Sequence, residues 1–503
     1  MTHFPDLPHP PHSRRPGRLR PGLTTLTTLS AIAAAAAMLL LTGCTTVGPD
    51  YKGAPAVAAE ALQQSRFKRD DPSADAVAPV AAQWWRALGD ATLDALVEQA
   101  LTQSPTLQAA EARLRSARAA FNAQEANGRP TGSASALGAG VWQGPGTDHE
   151  SSLHLYSVGF DATWEVDLFG GTRRAVESAS AQAQAVQADL ADAQVSLTAE
   201  VASTYVGLRA QQGRQALLRD TATFDAQALA LVLQRRDQGV ATVDDVEQRT
   251  QQAEATQASL ADVAAEIAAS LDRLALLTGQ APGALDEQLA AVTPTTSALP
   301  VLPHALDRVA IGDPASLLQR RPDIRAAERR LAGRNAKIGQ ETAKYFPKLS
   351  LLGNIGVAGT APGKLLRTDN LALVAVPYLS WNFLDFGRTA AAVREADADR
   401  DEAVANYRSA VLGALQDANT SLARFGRQRQ SLQHLRAQLG STGRTLDLTR
   451  QRREAGAASQ IDLLDAQRRD TDARLKALDG ESALLKDFVA LQKSLGLGWD
   501  LPA

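Results

Sequence analysis

The sequence predicts an α+β membrane protein, in which a transmembrane β-barrel shared by several chains continues into long coiled-coil helices. Three observations predict it. Landmark residues recur at one constant spacing, a segment from Tyr156 alternates strictly between apolar and polar residues, and two proline-free stretches could each form a helix of about 97 Å.

The spacing is 217 residues. Pro105 and Pro322, Ala110-Glu111 and Ala327-Glu328, Pro130 and Pro347, Trp164 and Trp381, Phe169-Gly170 and Phe386-Gly387, Gly239 and Gly456, Asp245 and Asp462, and Gly279 and Gly496 all match without a gap. Proline, glycine and tryptophan landmarks in one order imply a duplication, so the chain reads as two copies of one unit, residues 105–279 and 322–496. Around them lie an export signal (1–43), an N-terminal equatorial segment (44–104), a linker (280–321) and a tail (497–503).

The export signal follows from Arg14, Arg15, Arg18 and Arg20, then an apolar run from Leu23 to Leu41, then Leu41-Thr42-Gly43-Cys44. The run approaches bilayer-spanning length, but the sole cysteine of the chain stands directly after small residues at its end, which decides for cleavage over an anchor. The quartet resembles the bacterial lipobox, which implies a covalent lipid on Cys44. By the lipoprotein sorting rule, Thr45 rather than Asp implies the outer membrane.

The formal charge is -3; without residues 1–43, which carry four Arg and one Asp, the balance moves from 52 minus 55 to 48 minus 54, or -6. An acidic surface argues against a nucleic-acid partner. With Cys44 the only cysteine and Met1 and Met38 the only methionines, thiolate zinc sites and Met-based copper sites are excluded. His149, His154, His304 and His434 are scattered, so neither a metal nor another cofactor is expected. Nor is an enzyme: GxSxG, P-loop and paired His are missing, and Asp385-Phe386-Gly387 lacks the other kinase motifs and reads as a strand-to-helix turn.

Each unit has one order of elements. A proline (Pro105 or Pro322) opens a helix that runs to about residue 128 or 345 and stops before Pro130 or Pro347. From Tyr156, the residues Tyr156, Val158, Phe160, Ala162, Trp164, Val166 and Leu168 alternate with Ser157, Gly159, Asp161, Thr163, Glu165 and Asp167, which is a strand with two unlike faces. Its partner is Thr131 to Trp142, across Gly144-Pro145-Gly146. In the second unit the pair is Lys348 to Ala358 and Leu371 to Phe383, where Pro377 interrupts a weaker alternation. A soluble sandwich is the alternative. The export signal, the strand length and the aromatics Trp142, Tyr156, Tyr378 and Trp381 favour a membrane barrel, since no later stretch could cross as a helix.

Long helices follow, from Thr172 to about Arg236 and from Thr389 to about Arg453. In the second, Val404, Val411, Ala418, Phe425, Leu432, Leu439 and Leu446 fall every seventh residue, which means coiled-coil packing. Gly239 and Gly456 end these helices, and return helices reach Leu277 and Ser494. Two β-hairpins supply four strands per chain, and the smallest membrane barrels need eight, so several chains must share one barrel; two, three or four all remain open. A tube open at both ends needs a gate, for which the far ends of the helical hairpins are the candidates. There, Thr242-x-x-Asp245 and Ser459-x-x-Asp462 also fit helix capping boxes, whereas Asp465 matches Gln248 and breaks the internal symmetry.

The lipobox with Val47-Gly48-Pro49-Asp50-Tyr51, Trp84-Trp85, Arg320-Arg321-Pro322-Asp323-Ile324, Ala326-Ala327-Glu328-Arg329-Arg330-Leu331, Tyr345-Phe346-Pro347 and Leu463-Leu464-Asp465-Ala466-Gln467-Arg468 resembles the NodT/OprM lipoprotein branch of the TolC outer-membrane factors, over nearly all of residues 44 to 497. The resemblance implies a homotrimer with a 12-stranded barrel and an α-helical periplasmic tunnel, lipid-anchored in the outer membrane. It implies the exit channel of an RND-type inner-membrane pump joined by a periplasmic adaptor. Carried over position by position, it puts a ring of gate carboxylates on Asp462 and Asp465, an apolar gate residue on Ile461, and gate locks on Asp245, Arg453 and Arg468. It puts adaptor contacts on Gly239, Val240, Gly456 and Ala457, while Ala458 departs from the basic residue of some relatives. A type I secretion duct is one alternative; another is a non-conducting coiled-coil lipoprotein, which would leave the amphipathic strands unused. The cargo stays open.

Overall fold

A computed structural model describes residues 46–69, 82–142, 152–290, 309, 311–365 and 367–499. The export signal, Cys44, Gly144-Pro145-Gly146 and parts of the 44–104, 280–321 and 497–503 segments lie outside the described residues.

Helix α1 (Ala91–Gln103) is capped by Asp90, whose side chain accepts from the amides of Thr92 and Leu93. Helix α2 (Pro105–Ala126) starts on its proline, whose missing N–H costs nothing at a first helical position. Strands β1 (Thr131–Trp142) and β2 (Ser152–Val166) follow, then α3 (Gly171–Asp237) and α4 (Val243–Leu277). The second half repeats the order with α5 (Pro322–Thr342), β3 (Lys348–Gly359), β4 (Leu371–Ser380), α6 (Arg388–Glu454) and α7 (Gln460–Ser494). Helices α3 and α6 are both 67 residues long, and α4 and α7 are both 35.

Two strands end earlier than expected. Strand β2 stops at Val166 rather than Leu168, because the Asp167 carboxylate turns back to accept from the amides of Thr172 and Arg173 at the start of α3. Strand β4 stops at Ser380 rather than Phe383 but does run through Pro377, which stands opposite Leu351 of β3. After it, Asp385 accepts from the amides of Gly387 and Thr389, so Asp385-Phe386-Gly387 is a turn into α6.

The strands form one antiparallel sheet in the order β1-β2-β3-β4. Its register places Phe160 opposite Ile355 and Ile355 opposite Leu373, on a face where all three side chains are exposed. The other face is tied by polar contacts: Asp161 accepts from Ser135 Oγ at 2.6 Å and Asn354 Nδ2 at 2.7 Å, across three strands. Among the described residues no helix is long and apolar enough to cross a membrane.

Helices α3 and α4 form one hairpin, α6 and α7 the other, and α7 also packs on α3. The main core sits below the sheet, where Trp84, Trp85, Leu93, Leu96, Val97, Leu208, Leu274 and Phe488 are buried together. Trp84 meets Phe488 edge-on with ring centroids 6.0 Å apart. Of the heptad series in α6, Val411, Ala418, Phe425 and Leu432 are buried, and the outer members are partly covered. Each large apolar side chain so buried contributes about 1.5–3 kcal/mol, so this core anchors the hairpins.

Candidate functional site

At the tip of the first hairpin, Gly239 takes φ +73°, and the amides of Gly239 and Val240 donate to the carbonyls of Arg236 and Arg235, each at 2.8 Å. The second tip repeats this: Gly456 takes φ +72°, its amide donates to the Arg453 carbonyl at 3.0 Å, and that of Ala457 to the Arg452 carbonyl at 2.7 Å. These bonds close both long helices with a left-handed residue that glycine adopts without strain. An added Cβ at either glycine would meet open space, so conformation rather than crowding demands it. Gly239, Val240, Gly456 and Ala457 all face solvent.

The return helices start in capping boxes. The Thr242 amide donates to Asp245 Oδ2 at 2.8 Å and the Asp245 amide donates to Thr242 Oγ1 at 3.1 Å. The Ser459 amide and the Asp462 amide do the same at 2.8 and 3.1 Å. Bonds from the Thr242 amide and hydroxyl hold the Asp245 carboxyl below the usual carboxylate range; the Ser459 hydroxyl and then its amide do so for Asp462. Within this box the Ser459 amide and hydroxyl both donate to Oδ2 of Asp462, an exposed residue.

One turn on, the two hairpins meet. Arg249 of α4 donates through both terminal nitrogens to both oxygens of Asp465 of α7, at 2.6 and 2.9 Å. The paired geometry raises the Arg249 pKa, with the Asp465 hydrogen bond as the largest cause. Ile461, one turn before Asp465, is half-buried. Deeper in, the buried carboxylate of Asp225 on α3 accepts from Gln252 Nε2 at 2.8 Å and Thr256 Oγ1 at 2.7 Å, and Arg468 Nε of α7 lies 3.3 Å away as an ion pair. The Arg453 side chain has no ion-pair partner among the described residues.

The structure thus brings Asp465 and Arg468 into contacts between the hairpins, while Asp245 and Asp462 cap their own helices. Sequence reasoning missed Arg249 and Asp225. Both carry the signal that singled out Asp465, because their positions 217 residues on hold Ala466 and Thr442.

The remaining motifs gather where sheet meets helices. Arg174, buried at the start of α3, donates to the Val47 carbonyl at 3.2 Å, to Glu177 at 2.8 Å and to Asp50 at 2.5 Å. Gly48 lies so close to the Gly339 backbone that a Cβ would come within 2.3 Å of its Cα. The N-terminal strap is therefore seated in the groove between α3 and α5. Phe346 stacks on Phe169 with centroids 4.5 Å apart. Lower down, Arg321 binds both oxygens of Asp323 at 3.0 and 2.7 Å and the Ser494 carbonyl at 2.9 Å, knotting α5 to the end of α7. A cavity of about 300 Å³ beside this knot is lined by Asp192, Asp417 and Lys493, and burial, with Asp323 nearby, pushes the Asp192 carboxyl up.

The family described as "Outer membrane efflux protein" matches the chain twice, over residues 96–280 and 314–497. Outer membrane protein OprJ of Pseudomonas aeruginosa is 30% identical over 478 residues, covering 93% of this chain and 96% of that protein. Nodulation protein T of Rhizobium leguminosarum bv. trifolii is 28% identical, covering 92% and 96%. Among solved structures, the outer-membrane channel OprN is similar with a TM-score of 0.75 and 34% identity, covering 90% of this chain and 99% of that one.

Proposed function

The chain belongs to the outer membrane efflux protein family, and on that footing we propose that it is the exit channel of a tripartite efflux system, built from three copies. It is an outer-membrane efflux protein and not an enzyme. The observation that carries the proposal is the open four-stranded sheet. One face exposes Phe160, Ile355 and Leu373, and β2 and β4 each continue into a helical hairpin rather than ending in a closed domain. Such a sheet is stable in lipid only when its edges are paired, and three copies give twelve strands. The duplicated units then alternate around the barrel and its helical extension into the periplasm.

The covalent lipid belongs on Cys44. Its support is the seat of the strap: the Val47 amide donates to the Phe169 carbonyl at 3.0 Å, where strand passes into helix, so a lipid three residues upstream reaches the periplasmic edge of the bilayer. The partners are a periplasmic adaptor, received by Gly239, Val240, Gly456 and Ala457, and an RND-type inner-membrane pump.

The gate comprises Asp462, Asp465 and Ile461 from each copy, with Asp465 tied to Arg249 and the Asp225–Arg468 pair behind it. Arg453, and Asp245 beyond its cap, remain lock candidates toward a neighbouring copy or the adaptor. Planar-bilayer recordings test this directly: replacing Asp462 and Asp465 with Ala is expected to raise conductance and to lower cation preference. No change in either removes the gate from these residues.

A further inference from the structure

The strand pairings sort the sheet into two faces of different chemistry. Val158, Phe160, Leu351, Ile355 and Leu373 fall on one side. Ser133, Ser135, Asp161, Glu165, Lys348 and Asn354 fall on the other. In the channel proposed above, on which this inference rests, the first face meets lipid and the second lines the lumen.

Charge on the second face does not cancel. Among the described strand residues, its charged groups are Asp161, Glu165 and Lys348. Lys348 Nζ donates to both oxygens of Glu165, at 3.1 and 3.4 Å, which leaves Asp161 as the uncompensated charge. Asp161 stands four residues from Glu165 on β2, about 13 Å along the strand, beyond the Debye length of about 10 Å at 0.1 M salt.

The hydrogen bonds of Asp161 hold its carboxylate in place without neutralising it. Ser135 Oγ of β1 donates to Oδ2 at 2.6 Å and Asn354 Nδ2 of β3 donates to Oδ1 at 2.7 Å, and both donors are uncharged. An ionised carboxylate has about four acceptor sites, so each oxygen keeps one for water or a passing cation. The residue is partly exposed.

The internal repeat shows that strand structure does not demand a carboxylate there. The positions 217 residues from Ser135, Asp161 and Asn354 hold Leu352, Tyr378 and Leu137, which lie on the same face and are exposed. The same three places therefore serve a strand equally well with apolar side chains. A charge kept in a barrel wall against its desolvation cost needs water and counter-ions within reach, which a lumen supplies.

We infer that Asp161 from each copy forms a ring inside the barrel that favours cations over anions, separate from the carboxylates at the helical tips. Like charges at one height, facing a lumen with low-dielectric walls, concentrate cations there and expel anions. Salt screens the effect, its range falling from about 10 Å at 0.1 M to about 3 Å at 1 M.

Reversal potentials of the full-length protein in planar bilayers test the ring, in an Asp462→Ala, Asp465→Ala background that removes the tip carboxylates. Adding Asp161→Asn is expected to lower the cation-to-anion permeability ratio at least about twofold near 0.1 M KCl and to change it little near 1 M, whereas Asp161→Glu keeps it. Asp161→Cys is expected to lower the ratio as well. A membrane-impermeant anionic methanethiosulfonate then restores it, and a trimethylammonium one lowers it further. Cys44 is the only native cysteine, so the parent protein is the reagent control. A conducting protein whose ratio is unchanged by Asp161→Asn, or whose introduced thiol does not react, overturns the ring and leaves the channel. Altered heat-modified gel mobility with the ratio intact makes Asp161 a staple between strands and overturns the ring too. A folded, membrane-inserted protein that passes no current overturns the channel and the ring with it.

Discussion

Helices α2 and α5 open on matching prolines and hold the same place in their units, yet α5 is buried on two sides and α2 on one. Their intrinsic helix-forming character is alike. What differs is the neighbour: α5 packs against two long helices, α3 and α6, whereas the main packing partner of α2 is α3. The lesson is that burial along this chain is set by what sits next to each repeat, so in the proposed channel the exposed side of the first unit is where a neighbouring copy would pack.

Ile338 and Phe121, which stand at matching positions, offer the sharpest way to break that comparison. Ile338 is 5% exposed, and Ile338→Ala is expected to cost about 2–4 kcal/mol in denaturant unfolding of the solubilised protein. Phe121→Ala is expected to cost less than about 1 kcal/mol within one chain, and to appear as oligomers that dissociate at lower detergent or temperature. Equal effects of both on single-chain unfolding would contradict the account.

The two faces of the sheet give the next contrast. Phe160→Lys is expected to lower barrel stability by about 2–4 kcal/mol at bilayer mid-depth, and Ser157→Lys on the opposite face by a fraction of that, read from heat-modified gel mobility.

The tie at the tips is smaller. Arg249 and Asp465 are both partly exposed, so the pair is worth about 1 kcal/mol after solvent screening, and Arg249→Ala is expected to raise conductance severalfold while leaving the fold intact. Their counterparts in the 217-residue repeat are Ala466 and Gln248. Gln248→Asp with Ala466→Arg should therefore add a second tie, between copies, and lower the conductance; unchanged current would place the tips farther apart than the repeat requires.

The capping boxes give the smallest effect, a pH dependence. The Asp245 and Asp462 carboxyls are held below their ordinary values, so their contribution is complete above about pH 4 and is lost only as pH falls through the lowered values. Hydrogen exchange at the starts of α4 and α7 is expected, once corrected for intrinsic rates, to be flat between about pH 5 and 8 and to rise in stronger acid.

Most of this architecture was legible in the residues. Prolines at helix starts, the seven-fold alternation from Tyr156, the absence of proline along α3 and α6, and Gly239 and Gly456 at the tips each act through local sterics or periodicity, which the sequence displays directly. The ends of β2 and β4 were not, because Asp167 and Asp385 decide them by capping the following helices. Nor was the Arg249–Asp465 pair, whose residues are 216 apart in sequence and meet only because α4 and α7 both lie along α3. Its trace was a broken repeat at both positions, read at only one of them.

The central claim is that sheets from separate copies close a single lipid-embedded cylinder above a helical tube. A single-particle map of the full-length, acylated protein in lipid nanodiscs tests it most directly. The account predicts three chains, twelve strands without a free edge, and β4 of each copy beside β1 of the next. A map with one chain, or with four-stranded sheets left open to lipid, would contradict it.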